Sequence, residues 1–332
     1  MTVKIMRQNA ATIPEHSHQR KAAIARGGVK DYSGSVEVVP VSPFDLGRTI
    51  FNTLDGAVPR AIIEARIAKE VIWYATAADQ VTKDYSQVAE NKLPKISSKL
   101  MKFLKEDCDF DVEHADGSFL DHLYYCYEYS SHHFDDYSPL VMLLHSILGT
   151  GTNTFAMPAS KINQLKPLMD DFTWRHVEAF PSVLRLLYSL NLLNDLIINQ
   201  HELDNFSELH FHRVIDNEPI TLSAEDFWIQ LNYQLIHLTD FIPVSNWTAH
   251  KSDTSFTLFR KLFRFLKNNN KLMASIDYTP PPVLQLVKGE KLSPVSWALT
   301  MLPPVIAEFL SAESIRRFSN TIGHNLSYEL HF

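Results

Sequence analysis

Glycine is scarce, with 10 residues in a chain of 332. That argues against a turn-dense β architecture, which needs glycine in its tight turns. Cysteine is scarcer still. Cys108 and Cys126 are the only two, too few for a disulfide framework, and they fit a reducing compartment. No charge-free apolar run reaches about 18 residues, so no membrane span is expected. The opening MTVKIMRQNAATIPEHSHQRK has no apolar signal region. The expectation is a cytoplasmic protein. A G-x-S-x-G elbow and a dinucleotide fingerprint are both missing, and TGTN and ARGGVK are too short for a phosphate loop. Neither cysteine has a reactive setting, so both read as structural.

What is present suits a globular protein. Hydrophobic residues make up 45% and charged residues 21%, enough apolar surface for a sizeable core. The length allows two domains, or one large domain with extensions. A net charge of -7 speaks against a general nucleic-acid binder. The charge is uneven, however. Residues 1–30 hold six cationic side chains (Lys4, Arg7, Arg20, Lys21, Arg26, Lys30) against one acid, Glu15. Residues 1–34 therefore read as a flexible basic arm, with an acidic protein as its candidate partner and a solvated arm as the plainer alternative.

Along the chain, VEVVPV (36–41) suits an edge strand. Pro59 suits the first turn of a helix whose stripe is Ile63, Ile67, Val71 and Tyr74. Residues 92–106 predict an amphipathic helix with Leu100, Met101, Phe103 and Leu104 inward. HADGSFLDHL then opens the most informative stretch, residues 114–155. Phe119, His122, Leu123 and Cys126 fall on one helical face, with Asp121 about 100° away. Ser138 and Pro139 predict the cap and first position of a helix through LVMLLHSIL, and Gly149 predicts its left-handed end. His145 sits at the end of an apolar run and so reads as buried, where an imidazole needs hydrogen-bond partners or a metal. The polar loop TGTNTFAMP follows, and loops in that position often form a substrate-contacting wall.

Further on, Pro181 suggests the start of a helix over SVLRLLYSLNLLNDLII. His176 and Glu178 are two apart and face apart on a helix; with Glu64 they lack the Glu-x-x-His spacing of a di-iron centre. SELHFHRV alternates, which puts His210 and His212 on one face of a strand. A metal-binding HxH strand is one reading of that pair and a solvated short strand is the plainer one. AEDFWIQLNYQLIHLTDFI predicts a long helix with Trp228, Leu231, Leu235 and Leu238 buried and Asn232 inward. FTLFRKLFRFLK is a basic amphipathic helix, suited to docking on the core or to a membrane surface or partner. TPPPV reads as a linker, and Pro303-Pro304 as a break in the final helix.

HADGSFLDHL, followed 23 residues after His122 by LLHSILGTGTNTF, resembles the core of the HD-domain superfamily. It is closest to a branch in which the usual His-Asp pair reads His-Ser. The resemblance runs from near 108 to 242. It implies an all-α fold with an HD-like helical core over 107–245, an N-terminal helical extension over 35–106 and a C-terminal helical extension over 246–332. It places His122 at the first histidine of the family pattern and His145 at the histidine of the pair, with Ser146 where an aspartate is expected. His114 joins them in the pocket wall, and Asn232 or Asp240 stands for the late acidic ligand. The implied cofactor is a divalent metal, Fe, Mn or Zn. Its chemistry would be phosphoester hydrolysis or oxygenation of a small molecule. Asp121 and Asp240 are the candidate catalytic acids, and Thr150, Thr152 and Asn153 the candidate substrate contacts. A neutral serine is a poorer metal ligand than aspartate. The alternative expectation is therefore a metal-free fold that binds a small molecule or a protein.

Overall fold

The computed structural model describes residues 3–6, 29–32, 35–38, 97–108, 113–114, 117–149, 157–239, 254–276 and 303–332. Helix accounts for 61% of the described chain. The all-α expectation needs correction, because β-structure is also present. β1 (Val3–Met6), β2 (Val29–Tyr32) and β3 (Ser35–Val38) form an antiparallel sheet in the order β1-β3-β2. A second three-stranded sheet, described below, closes one side of the helical core.

The first helix, α1 (Ser98–Glu106), starts where Ser97 accepts a hydrogen bond from the Leu100 amide. It buries Leu100, Phe103 and Leu104 as the spacing predicts. β4 (Glu113–His114) and β5 (Gly117–Ser118) pair as a minimal ladder that runs straight into α2 (Phe119–His133). α3 (Leu140–Leu144) is shorter than the sequence suggests. Residues 145–148 continue as tight turns, with Ile147 N–H on the Leu144 carbonyl and Gly149 N–H on that of Ser146. Gly149 closes them at φ 131, a backbone region that suits glycine. Ser138 does not cap α3. Its hydroxyl accepts from Thr173 Oγ1 instead, across the interface with the next long helix.

Past the one-turn α4 (Ile162–Leu165), that helix is α5 (Asp171–Tyr188). Its N-cap is Asp170, whose carboxylate accepts from the Thr173 amide at 2.7 Å. Pro181 lies inside α5 and does not begin it. An interior proline costs about 3 kcal/mol, and burial on both sides offsets that here: every residue from 179 to 188 is buried. Leu190, at φ 68, turns the chain into α6 (Asn191–Ile198).

β6 (Glu208–His212) and β7 (Pro219–Ser223) form an antiparallel pair that leads directly into α7 (Ala224–Thr239). α7 is the central helix. All its residues from Phe227 to Thr239 are buried, against α2, α5, the sheet and α8 (Thr254–Asn268). On α8, Leu258, Phe259, Leu262, Phe263 and Leu266 enter the core while Arg264 and Lys267 stay exposed, so this basic helix is docked on the core. The residues before 303, on which the expected break at Pro303-Pro304 depends, lie outside the described residues. α9 (Pro304–Thr321) starts at Pro304, where the missing N–H is no loss. The chain returns as β8 (Glu329–His331) on the free edge of β6, giving the order β7-β6-β8. Leu209, Phe211, Ile220, Leu222 and Leu330 pack this sheet onto the same core as α5, α7 and α8.

Candidate functional site

The interface of α5 and α7 is a buried polar seam. Asp226, Gln230, Gln234 and His237 follow one another on α7 at spacings of four, four and three, which is one helical face. At the outer end, Arg175 holds Asp226 with Nη1 at 2.9 and 2.8 Å from its two carboxylate oxygens. His176 Nε2 stands 3.4 Å from Asp226 Oδ1, and its Nδ1 lies 2.9 Å from Gln230 Oε1. Asp226 is held down to about 2, chiefly by the hydrogen bond from His176, with those of Arg175 and Ser223 opposing the effect of burial. One turn deeper, Gln234 donates its amide to the Phe180 carbonyl at 2.9 Å. That acceptor immediately precedes Pro181.

The inner end is aromatic. His145, fully buried, meets His237 with ring centroids 4.8 Å apart and an interplanar angle of 70°. Phe180 packs against both, at 4.7 Å from His145 and 5.4 Å from His237. His145 sits at the C-terminal end of α3 and donates Nδ1–H to the Met142 carbonyl at 2.7 Å. That bond places a proton on Nδ1 and orients the ring. A ring nitrogen on a backbone carbonyl is also the usual companion bond of a metal-ligating histidine.

The sequence-selected residues divide as follows. His145 is buried, as expected, and Ser146 beside it is 3% exposed. His114 lies in β4, opposite Gly117, and Asp121 and His122 lie in the first turn of α2. The side chains of these three are outside the described residues, as are Thr150, Thr152, Asn153 and Asp240 entirely. Asn232 is engaged in packing the fold. Its Nδ2 donates to the Trp228 and Lys271 carbonyls, and its Oδ1 accepts from the Met273 and Ala274 amides. Every polar position of this buried side chain is spent on clamping residues 271–274 to α7. His176 and Glu178 face apart, as their spacing requires, His176 toward Asp226 and Glu178 onto Arg213.

His237 was missed by the sequence reading. It sits in the apolar run QLIHL, and the signal that would have found it is the polar repeat Asp226, Gln230, Gln234, His237 inside an otherwise apolar helix. No protein-family model, curated protein or solved structure matches the chain. Any functional reading therefore rests on the residues themselves.

Proposed function

We propose that the protein is a metal-dependent enzyme of the HD-like class acting on a small molecule, with His145 and His237 at the centre of its site. The observation that carries this reading is the His145 ring, fully buried beside a second imidazole and oriented by its Nδ1 on a backbone carbonyl. Two buried imidazoles suit Zn or Fe better than Mg, which prefers oxygen ligands. His145 and His237 would hold the metal, with His114, His122 and Asp240 the further candidates. The chemistry such a metal supplies when bound is Lewis acidity toward a phosphoester, or oxygenation where the metal is iron.

The chain's own residues would supply the rest. Phe180 walls the two imidazoles on one side and keeps water from them, which strengthens electrostatic interactions there. Asp121 and Asp240 are the candidates for moving a proton. Thr150, Thr152 and Asn153 follow the turn that ends at Gly149, so they are the candidates for contacting substrate. Ser146 stands next to His145 where the family pattern has an aspartate, which leaves the imidazoles as the main donors.

The test is metal content after purification without chelator, measured by elemental mass spectrometry. It is run in a His210→Gln/His331→Gln background so that surface binding does not count. Near-stoichiometric Fe, Mn or Zn, lost in both His145→Ala and His237→Ala, is the expected result. Iron would direct assays to oxygenation, and zinc or manganese to phosphoester hydrolysis. A parent chain that carries no metal and takes none up would overturn the reading, as would folded variants that keep it.

A further inference from the structure

The exposed face of the β7-β6-β8 sheet carries a second cluster, distant in sequence from the buried pair. β6 and β8 are antiparallel, with Glu208 opposite His331, Leu209 opposite Leu330 and His210 opposite Glu329. Alternation along the strands sends Leu209 and Leu330 into the core and leaves Glu208, His210, Glu329 and His331 on the outer face. Ligand atoms of His210, Glu329 and His331 all lie within 4.8 Å of one another. The two imidazole rings are 4.3 Å apart between centroids.

We propose that His210, Glu329 and His331 form a divalent-metal site of the zinc class that fastens β8 to the sheet. Two imidazoles and one carboxylate are a common zinc donor set, with a fourth position left for water. They exclude Mg and Ca as preferred occupants, since those ions take oxygen ligands. Glu208 stands 2.8 Å from His210 Nε2, so it is placed to orient that ring or to join as a fourth ligand. Zinc ligand atoms sit about 2.0–2.2 Å from the ion, so a spread of 4.8 Å closes by rotating side chains that already face solvent.

The backbone beneath them is fixed. Leu209 and Leu330 anchor the two strands from the buried side, and the His331 carbonyl accepts from the Ser207 amide at 2.8 Å and from its hydroxyl at 3.1 Å. Coordination would therefore join two segments far apart in the chain and present together only in the folded state. An ion bound there stabilises that state in proportion to its occupancy.

The experiment is zinc titration of the full chain, followed by isothermal calorimetry and by thermal unfolding. The comparison is with His210→Gln/His331→Gln, Glu329→Gln and Glu208→Gln, and with magnesium as the control ion. All four positions are partly or fully exposed, so circular dichroism should show unchanged folds. The expected result is one more zinc bound per chain in the wild type than in the double variant, with a larger zinc-induced Tm rise in the wild type. Glu208→Gln should weaken binding roughly 10–100-fold, as loss of an outer-shell partner does. Equal zinc stoichiometry and equal Tm response in wild type and double variant would overturn the proposal, as would a magnesium response matching that of zinc. Repeating the comparison in a His237→Ala chain separates this site from the buried pair, because the difference made by the double variant does not depend on what His237 binds.

Discussion

His145 donates Nδ1–H to the Met142 carbonyl at 2.7 Å while its ring meets that of His237 at 4.8 Å, so one buried imidazole is fixed in orientation beside another. A metal on this pair binds only the folded chain and adds to its stability. In a His210→Gln/His331→Gln background, EDTA should lower the Tm by several degrees. His237→Ala should lose about 2–4 kcal/mol from the cavity alone and then show no further change with EDTA. Identical melting with and without chelator before that mutation would sink the metal assignment.

Asn232 offers a sharper distinction between a ligand and a structural residue. All of its donors and acceptors are used between α7 and residues 271–274. Asn232→Asp keeps the two acceptor bonds and replaces two donors with charge facing carbonyls. It should cost about 2–4 kcal/mol and leave metal content unchanged. A metal ligand would behave in the opposite way, since the added carboxylate would tighten binding. Urea unfolding alongside elemental analysis decides between the two.

Asp226 and Arg175 are bonded to each other, yet they should not be equivalent on mutation. Asp226 is 14% exposed, accepts from Arg175 and Ser223 and lies 3.4 Å from His176 Nε2, whereas Arg175 is 41% exposed. Asp226→Asn leaves the Arg175 and His176 side chains without their charged partner and should cost about 2–3 kcal/mol. Arg175→Ala removes a charge that solvent already screens in part and should cost less than about 1 kcal/mol. Equal losses would mean that the His176 and Ser223 contacts contribute little.

Much of the fold was legible because helix periodicity survives burial on one side. The stripes on α1 and α8 and the length of α7 follow from the spacing of apolar residues, and alternation in SELHFHRV gives β6 and the shared face of His210 and His212. Three features resisted. β8 is three residues long and pairs with a strand far away in sequence, so no local pattern marks it. Pro181 resembles a helix start, yet α5 runs through it because packing on both faces outweighs one lost hydrogen bond. The α5–α7 seam was hidden because Asp226, Gln230, Gln234 and His237 carry no motif when taken singly. Only their common face, set against Arg175, His176 and Phe180, makes them a buried chain. His145 could be chosen from sequence because an apolar run encloses it, whereas its partner could be recognised only after α7 was placed.

His324 gives the fold a measurable response to mild acid. It is 4% exposed, its Nε2–H donates to the His212 carbonyl at 3.1 Å, and its Nδ1 has no hydrogen-bond partner among the described residues. Burial pushes it down to about 4 from an ordinary 6.5, with the hydrogen bond to His212 opposing and the nearby charges of Arg185 and His212 adding to the depression. The folded-state value is below the unfolded one, so the neutral ring contributes its full stability above about pH 6.5. As pH falls toward 4 the unfolded chain takes up a proton that the folded chain refuses, and stability drops. The loss attributable to His324 approaches about 3 kcal/mol at the bottom of that window. His133 is also lowered by burial and adds a slope of the same sign, so the informative quantity is the difference between wild type and His324→Gln. Urea unfolding at intervals from pH 7.5 to about 4.5 should show the wild type losing stability more steeply than the variant. Parallel curves would mean that His324 is protonated as readily in the folded protein as in the unfolded one, and that the return of the chain into β8 does not depend on a neutral ring there.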